Sequence, residues 1–186
     1  VFRRDVGGVA AVEFGLIAPV LMIMMLGAFE ITRAVSIDRR FSVVTSMIAD
    51  LVAREQELKA ADVTAIYEIA KLVMAPYDTS KLKISLIPVA SDPNNASKTL
   101  VYPAITNRPN QPLGGELARC TAYTLPAGLV EKNESVIVVE SSYEFAPMFA
   151  TIMKPGKPWT DRAIAKPRKA SCVDFDGNSK PCGTCF

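Results

Sequence analysis

Between Val9 and Phe29 the chain runs through 21 residues of which only Glu13 is charged. A helix rising about 1.5 Å per residue would carry that run across roughly 30 Å, the hydrocarbon thickness of a bilayer. So uniform a run has no face left for water, and it reads as one transmembrane helix. Arg3 and Arg4 stand on its short side, so the positive-inside bias puts the N-terminus in the cytoplasm and the rest of the chain beyond the membrane. A cleaved secretory signal is the competing reading. Against it, the run is long for a signal core, and Glu30, Ile31, Thr32 and Arg33 continue a helical pattern where small cleavage-site residues would be expected. Pro19 lies inside the span and is expected to bend it, since proline lacks the amide proton and crowds the preceding turn. Glu13 is the anomaly. A carboxylate in hydrocarbon costs on the order of 3 kcal/mol even on lenient insertion scales, so it calls for a partner or a task. The plain alternative is a side chain snorkelling to the nearby cytoplasmic boundary.

Composition removes several function classes. The chain has no histidine, and with it go the usual general base, the triads built on one and most catalytic zinc sites. Lys and Arg number 21 against 19 acids, a net charge of +2 that carries no global nucleic-acid signature. What remains after the span has the length of one modest domain.

Beyond the span the pattern turns amphipathic. Ile31, Val35, Phe41, Val44, Ile48, Leu51 and Val52 recur at helical spacing with Arg33, Asp38, Arg39, Arg40 and Asp50 between them. No glycine or proline interrupts residues 30–57, so span and stem read as one rod reaching about Arg54. Asp62 reads as the N-cap of a second helix, with Val63, Ile66, Tyr67, Ala70, Val73 and Met74 on one face and Pro76 as its stop. Leu82, Ile84, Leu86 and Pro88 alternate with Lys83, Ser85, Ile87 and Val89 as a half-buried strand, and residues 135–145 form the strongest strand. Weaker strands are expected near 100–102 and 120–125, with a loop at 106–115. From Pro147 onward regular patterning fades, although Ile152, Trp159 and Ile164 can pin the segment to the core. Lys154, Lys157, Arg162, Lys166, Arg168 and Lys169 make it basic, as a solvated face or as a patch meeting acidic subunits or lipid headgroups. Asp174, Asp176 and Asn178 faintly resemble the start of a calcium loop without the later ligands, and a turn closed by Gly177 is the simpler reading.

Outside the cytoplasm, Cys120, Cys172, Cys182 and Cys185 are expected to form two disulfides, with three connectivities open. A bridge from Cys120 to any tail cysteine closes a loop of more than 50 residues. The spacing of Cys182 and Cys185 also permits a redox pair, although no helix follows to lower a thiolate pKa. A zinc site would want a second such pair.

The stretch from Gly8 to Phe14, with Glu13 five residues after the glycine and an aromatic next to it, resembles the processing motif of Tad (tight adherence) type IV pilins and pseudopilins. Residues 11–19, and Phe29 with Glu30 after the span, are similar to the TadE-like segment, a likeness covering about residues 4–50. More weakly, 125–128, 142–147 and 166–168 resemble stretches in the periplasmic part of TadE/TadG-like proteins. The resemblance implies a prepilin-peptidase cut between Gly8 and Val9. It also implies a subunit-pairing role for Glu13, beside Phe14, whose carboxylate would meet the new Val9 amine of a neighbour. Opposite charges in low dielectric attract strongly while either alone is penalised, so such a pair rewards correct register. The C-terminal part is far larger than the stub of a major Flp pilin, which points to a minor pseudopilin.

The resulting expectation is an α+β, pilin-like protein: leader or cytoplasmic N-terminus at 1–8, transmembrane helix at 9–29, amphipathic stem at 30–58, and a small antiparallel-sheet periplasmic domain with a disulfide-bearing tail at 59–186. It sits in the bacterial inner membrane or enters a pilus. Its partners are membrane lipid, the prepilin peptidase, other pilins or pseudopilins and Tad assembly proteins, with no nucleic acid, small-molecule substrate, cofactor or metal. It is a protease substrate and not an enzyme. Two rivals remain: an unprocessed inner-membrane scaffold of the same or a related machine, and a tethered thiol oxidoreductase using Cys182 and Cys185.

Overall fold

The computed structural model describes residues 7–92, 94–101, 105–106, 120–149, 154, 156–175 and 185. Its organising element is α1, a single helix from Gly7 to Ala53 with Pro19 inside it. Proline at 19 withdraws one hydrogen bond from the carbonyl of Gly15, and a helix in a membrane tolerates such a loss. Over its first half the large apolar side chains, among them Val12, Leu16, Ile23 and Phe29, are exposed, and none of the most apolar stretch is buried. By length and composition this half can cross a bilayer. From Glu30 the helix acquires a buried face: Ile37, Phe41, Val44, Ile48 and Val52 recur every three or four residues and are almost fully enclosed.

After α1, β1 (Glu57–Leu58) leads into α2 (Ala60–Met74), which lies against α1. The N-cap of α2 is Lys59, three residues before Asp62. Asp62 instead occupies the third helical position, where its carboxylate accepts the Lys59 amide at 3.0 Å. That is the acidic half of a capping box, and it also complements the helix dipole. Val63, Ile66, Ala70 and Met74 form the buried face of α2. At its other end Arg40 of α1 donates to the carbonyls of Ala75 (2.5 Å) and Val73 (3.4 Å) and lies over the Tyr77 ring. A cation is well placed beside those orphan carbonyls.

The sheet consists of β2 (Leu82–Ser91), β3 (Thr99–Val101), β4 (Ile105–Thr106), β5 (Ser135–Tyr143) and β6 (Trp159–Ala165). It is antiparallel in the order β3-β2-β5-β6, with β4 also on β2. The long pair runs from Leu82 opposite Tyr143 to Ala90 opposite Ser135. β7 (Asp174–Phe175) pairs with β1 in parallel, closing the chain back on the top of α1. Leu82, Ile84, Leu86, Ile137, Val139 and Tyr143 point to the helices. Ile87, Val89, Val136 and Val138 point the other way, onto Val101, Val130, Tyr123 and Leu125.

Three more expectations need correction. β2 is buried on both faces, not half-buried, because the segment around Tyr123 to Val130 covers the side away from the helices. The expected strand at 120–125 is only an isolated bridge, Leu100 with Ala122. Most unexpectedly, β6 is a full strand where the sequence reads as irregular, pairing Trp159 with Tyr143 through Ala165 with Ile137. The expected loop at 106–115 lies outside the described residues after Thr106, as does the turn at Gly177.

Candidate functional site

The proposed processing residues stand at the bare end of α1. Gly8 and Val9 belong to its first turns and are exposed, and a side chain added at Gly8 would meet nothing within 4 Å. Glu13 and Phe14 are exposed one turn further on, and among the described residues nothing else is brought to them. Gly7 and Gly8 together weaken the opening turn, since each glycine costs roughly 1 kcal/mol of helix stability relative to alanine.

At the other end of the apolar run the helix holds a different carboxylate, Glu30, and this one is completely buried. One of its oxygens accepts the backbone amides of Met148 (2.6 Å) and Phe149 (2.8 Å), 118 and 119 residues away in sequence. The other lies 3.6 Å from the Arg33 guanidinium and has no hydrogen-bond partner among the described residues. Arg33 in turn donates to the carbonyl of Ala146 at 3.3 Å and lies 5.5 Å over the Phe145 ring. Phe145 stacks on Trp159 at 5.0 Å and 9°, Trp159 meets Tyr143 at 6.3 Å, and Tyr143 meets Phe41 at 6.2 Å. The circuit thus starts on α1 at Arg33 and returns to α1 at Phe41, about two turns higher. Burial, reinforced by the charge of Asp78, holds the Tyr143 phenol above its ordinary pKa, so this ring stays neutral.

Further ties lie above this clasp. Thr45 on α1 and Ser141 on β5 share a buried hydroxyl hydrogen bond. Arg168 donates from its amide to the Ala53 carbonyl at 2.8 Å, capping α1, and from its guanidinium to Asp50 at 2.6 Å. An open groove of about 650 Å³ between α1 and β6 is bordered by Asp50, Arg162, Lys166 and Arg168. Its three cations are already matched by Glu140, Glu134 and Asp50, so half of the basic tail's six cations are paired within the domain. On the opposite side, Glu140 also accepts from the Tyr123 hydroxyl, whose pKa is raised first by burial and then by that carboxylate.

Cys120 and Cys185 are joined by a disulfide across 65 residues of sequence. Cys172 is disulfide-bonded as well, and Cys182 lies outside the described residues. With Cys185 engaged by Cys120, the Cys182 and Cys185 thiols are not bonded to each other as a resting redox pair would be. Among the described residues no cluster of acids and cysteines could hold a metal ion. Among the described residues the clasp brings no nucleophile and base together in a cleft. Its chemistry is mechanical: a buried acid, two amides, a guanidinium and four rings fasten a domain to a helix.

Sequence reasoning noted Phe29 with Glu30, and separately residues 142–147, but not that the two stretches meet. The available signal was a lone acid directly after an apolar span, with no basic residue one turn below it.

A long helix, bare at one end and clasped into a small α+β domain at the other, defines a membrane-span-capable protein of pilin-like architecture. Residues 8–50 match the family model described as TadE-like protein, so the whole span and the clasped stem form a TadE-like segment. No curated protein and no solved structure gives a significant match to the chain. The match over this segment supports a role related to the Tad pilus.

Proposed function

We propose that this protein is a minor pseudopilin of a Tad pilus. It is held in the inner membrane by residues 9–29 and presents its domain on the periplasmic side to other pilins and assembly proteins. The observation that carries this reading is the continuity of α1. The TadE-like segment begins at Gly8, contains Glu13 and runs without a break into the clasp at Glu30, so whatever fixes the helix among neighbours also fixes the domain. Cleavage after Gly8 would leave the Val9 amine one turn from Glu13. There a carboxylate from a neighbouring subunit could neutralise it in a medium where neither charge is stable alone.

One observation favours the rival, an unprocessed scaffold. The bond between Gly8 and Val9 lies inside a helical turn, whereas a protease needs an extended substrate. The two glycines make that turn the weakest of the helix, which supports access after local unwinding.

The deciding experiment is N-terminal peptide mass spectrometry on protein extracted from membranes, with and without an active prepilin peptidase, for the wild type and Gly8→Val. Wild type is expected to begin at Val9 only when the peptidase is active, and Gly8→Val to retain its leader. Because a side chain at 8 meets open space, the variant leaves the fold intact. An intact leader in every sample would establish the scaffold instead.

A further inference from the structure

The clasp fixes the height of the segment that follows β5. Glu30 is the residue next to the last of the apolar run, and the Met148 and Phe149 amides lie within 2.8 Å of its carboxylate. The run from residue 8 to 29 measures about 33 Å as a helix, so Glu30 falls where hydrocarbon gives way to headgroups, a layer of roughly 5–7 Å. Met148 is therefore held at the membrane surface. Its side chain is 63% exposed, and beyond α1 the other large apolar side chains exposed among the described residues are Ile69 and Leu72 on α2. An apolar side chain exposed at that level loses nothing if it faces lipid.

Along the chain that follows it, the charges have one sign. Between Glu144 and Asp161 the sequence contains Lys154 and Lys157 and no acid. Both lysines are exposed, and neither forms an ion pair among the described residues, unlike Arg162, Lys166 and Arg168 higher on the same strand and tail. Lys157 stands two residues, at most about 7 Å of chain, from Trp159, which is itself stacked on the Phe145 ring beneath Arg33. Apolar side chain and paired rings thus lie beside the exit of the span, with Lys157 two residues before Trp159 and Lys154 three residues before that. Half-buried tryptophan and flanking lysine are what an interface between hydrocarbon and water selects.

We infer that the base of the domain, through Met148, Lys154, Lys157 and Trp159, seats on the anionic phospholipid surface around its own span. The membrane then holds the protein at two places: the helix in the core, and this rim on the headgroups. The inference rests on the span and not on pilus function, so the outcome of the leader experiment does not bear on it.

Trp159 is the only tryptophan in the chain, which makes it the natural reporter. The full-length protein is placed in nanodiscs of phosphatidylcholine alone or of phosphatidylcholine mixed with phosphatidylglycerol. Its fluorescence is then quenched by lipids carrying a nitroxide at the headgroup or at the end of the acyl chain. Headgroup quenching should exceed deep quenching and should be stronger in the anionic discs. The double variant Lys154→Glu, Lys157→Glu should lose about half of that headgroup quenching in anionic discs and little in neutral ones. The two lysines are exposed and form no ion pair among the described residues, so the variant keeps its fold, checked by its circular dichroism. Absence of quenching, or quenching that responds to neither lipid charge nor charge reversal, would overturn the seat. Dependence on the number of chains per disc would assign the surface to a second copy and overturn it too. Failure of the chain to travel with the discs would overturn the span, and the seat with it.

Discussion

Glu30→Ala tests whether the clasp is held by the carboxylate or merely surrounds it. The substitution removes the acceptor of two amide hydrogen bonds and the charge facing Arg33. Hydrogen bonds to a carboxylate are worth about 1.5–3 kcal/mol each, giving an upper range of about 6 kcal/mol. The amides of Met148 and Phe149 lie at the domain's rim, where water can reach them once the segment lifts, so the lower end applies. About 3 kcal/mol corresponds to roughly a hundredfold change in an opening equilibrium. Amide hydrogen exchange reads that equilibrium at the two donors themselves. In detergent or nanodiscs the peptide carrying Met148 and Phe149 should exchange about a hundredfold faster in Glu30→Ala, while peptides from the paired core of β5 keep their wild-type rate. Glu30→Gln retains an acceptor oxygen and should accelerate exchange about tenfold or less. Unchanged protection in the alanine variant would show that ring stacking alone holds the segment. Equal acceleration across β5 would show that the clasp is no local unit but part of the global fold. Either result refutes the reasoning.

Among the described residues the buried Tyr67 hydroxyl has no hydrogen-bond partner, and burial pushes its pKa well above the ordinary tyrosine value. Tyr67→Phe should raise the midpoint of urea denaturation, by up to about 1 kcal/mol of stability, and a loss would reveal a partner for that oxygen. Cys120→Ser opens the 65-residue closure to Cys185 and should cost about 2–4 kcal/mol in oxidising buffer, a difference that disappears when both proteins are denatured under reductant. At the exposed pair of Glu134 and Lys166, their mutual hydrogen bond is the main cause holding the acid below the usual carboxylate range and the amine above the usual lysine value. The Glu134 contribution is present above its unfolded pKa and lost as pH falls through the folded one. The Lys166 contribution is present below its unfolded pKa and lost as pH rises through the folded one. The stability gap between wild type and Lys166→Ala should therefore be small, flat across neutral pH and absent in both acid and strong alkali; a gap that persists in acid would rule out the pair as its source.

The helices and the two central strands were legible because their cores are built from large side chains. Ile37, Phe41, Val44, Ile48 and Val52 announce α1, and the valines and isoleucines of β5 announce themselves without help from context. β6 was hidden for the opposite reason. Its helix-facing positions after Trp159 are Asp161, Ala163 and Ala165, small or polar residues that leave room for α1 to approach and register weakly as an apolar alternation. Its other face, Thr160, Arg162 and Ile164, mixes a cation already matched by Glu140 with one aliphatic residue. The buried face of β2 beyond Leu86 was underrated because its cover comes from a segment of irregular chain, which has no period to detect. Glu13 could be singled out from its setting alone, since an acid within an apolar run stands out. Glu30 could not, because at the edge of the run it reads as the first polar residue of the stem, and its amide partners carry no side-chain signature at all.

The continuity of α1 from Gly7 to Ala53, with Pro19 inside it, makes the domain's angular setting a property of the helix count. Each residue of an α-helix turns the next by about 100° and lifts it about 1.5 Å. Adding one residue within the apolar half would swing the entire sheet about a third of the way around the membrane normal relative to the Glu13 side of the helix, without disturbing a single contact of the domain. Adding seven would nearly restore the bearing but raise the domain about 10 Å. The interval from Glu13 to Glu30 is thus a phase as well as a length, and it sets which flank of the sheet a neighbour would find when the two bare helices lie side by side.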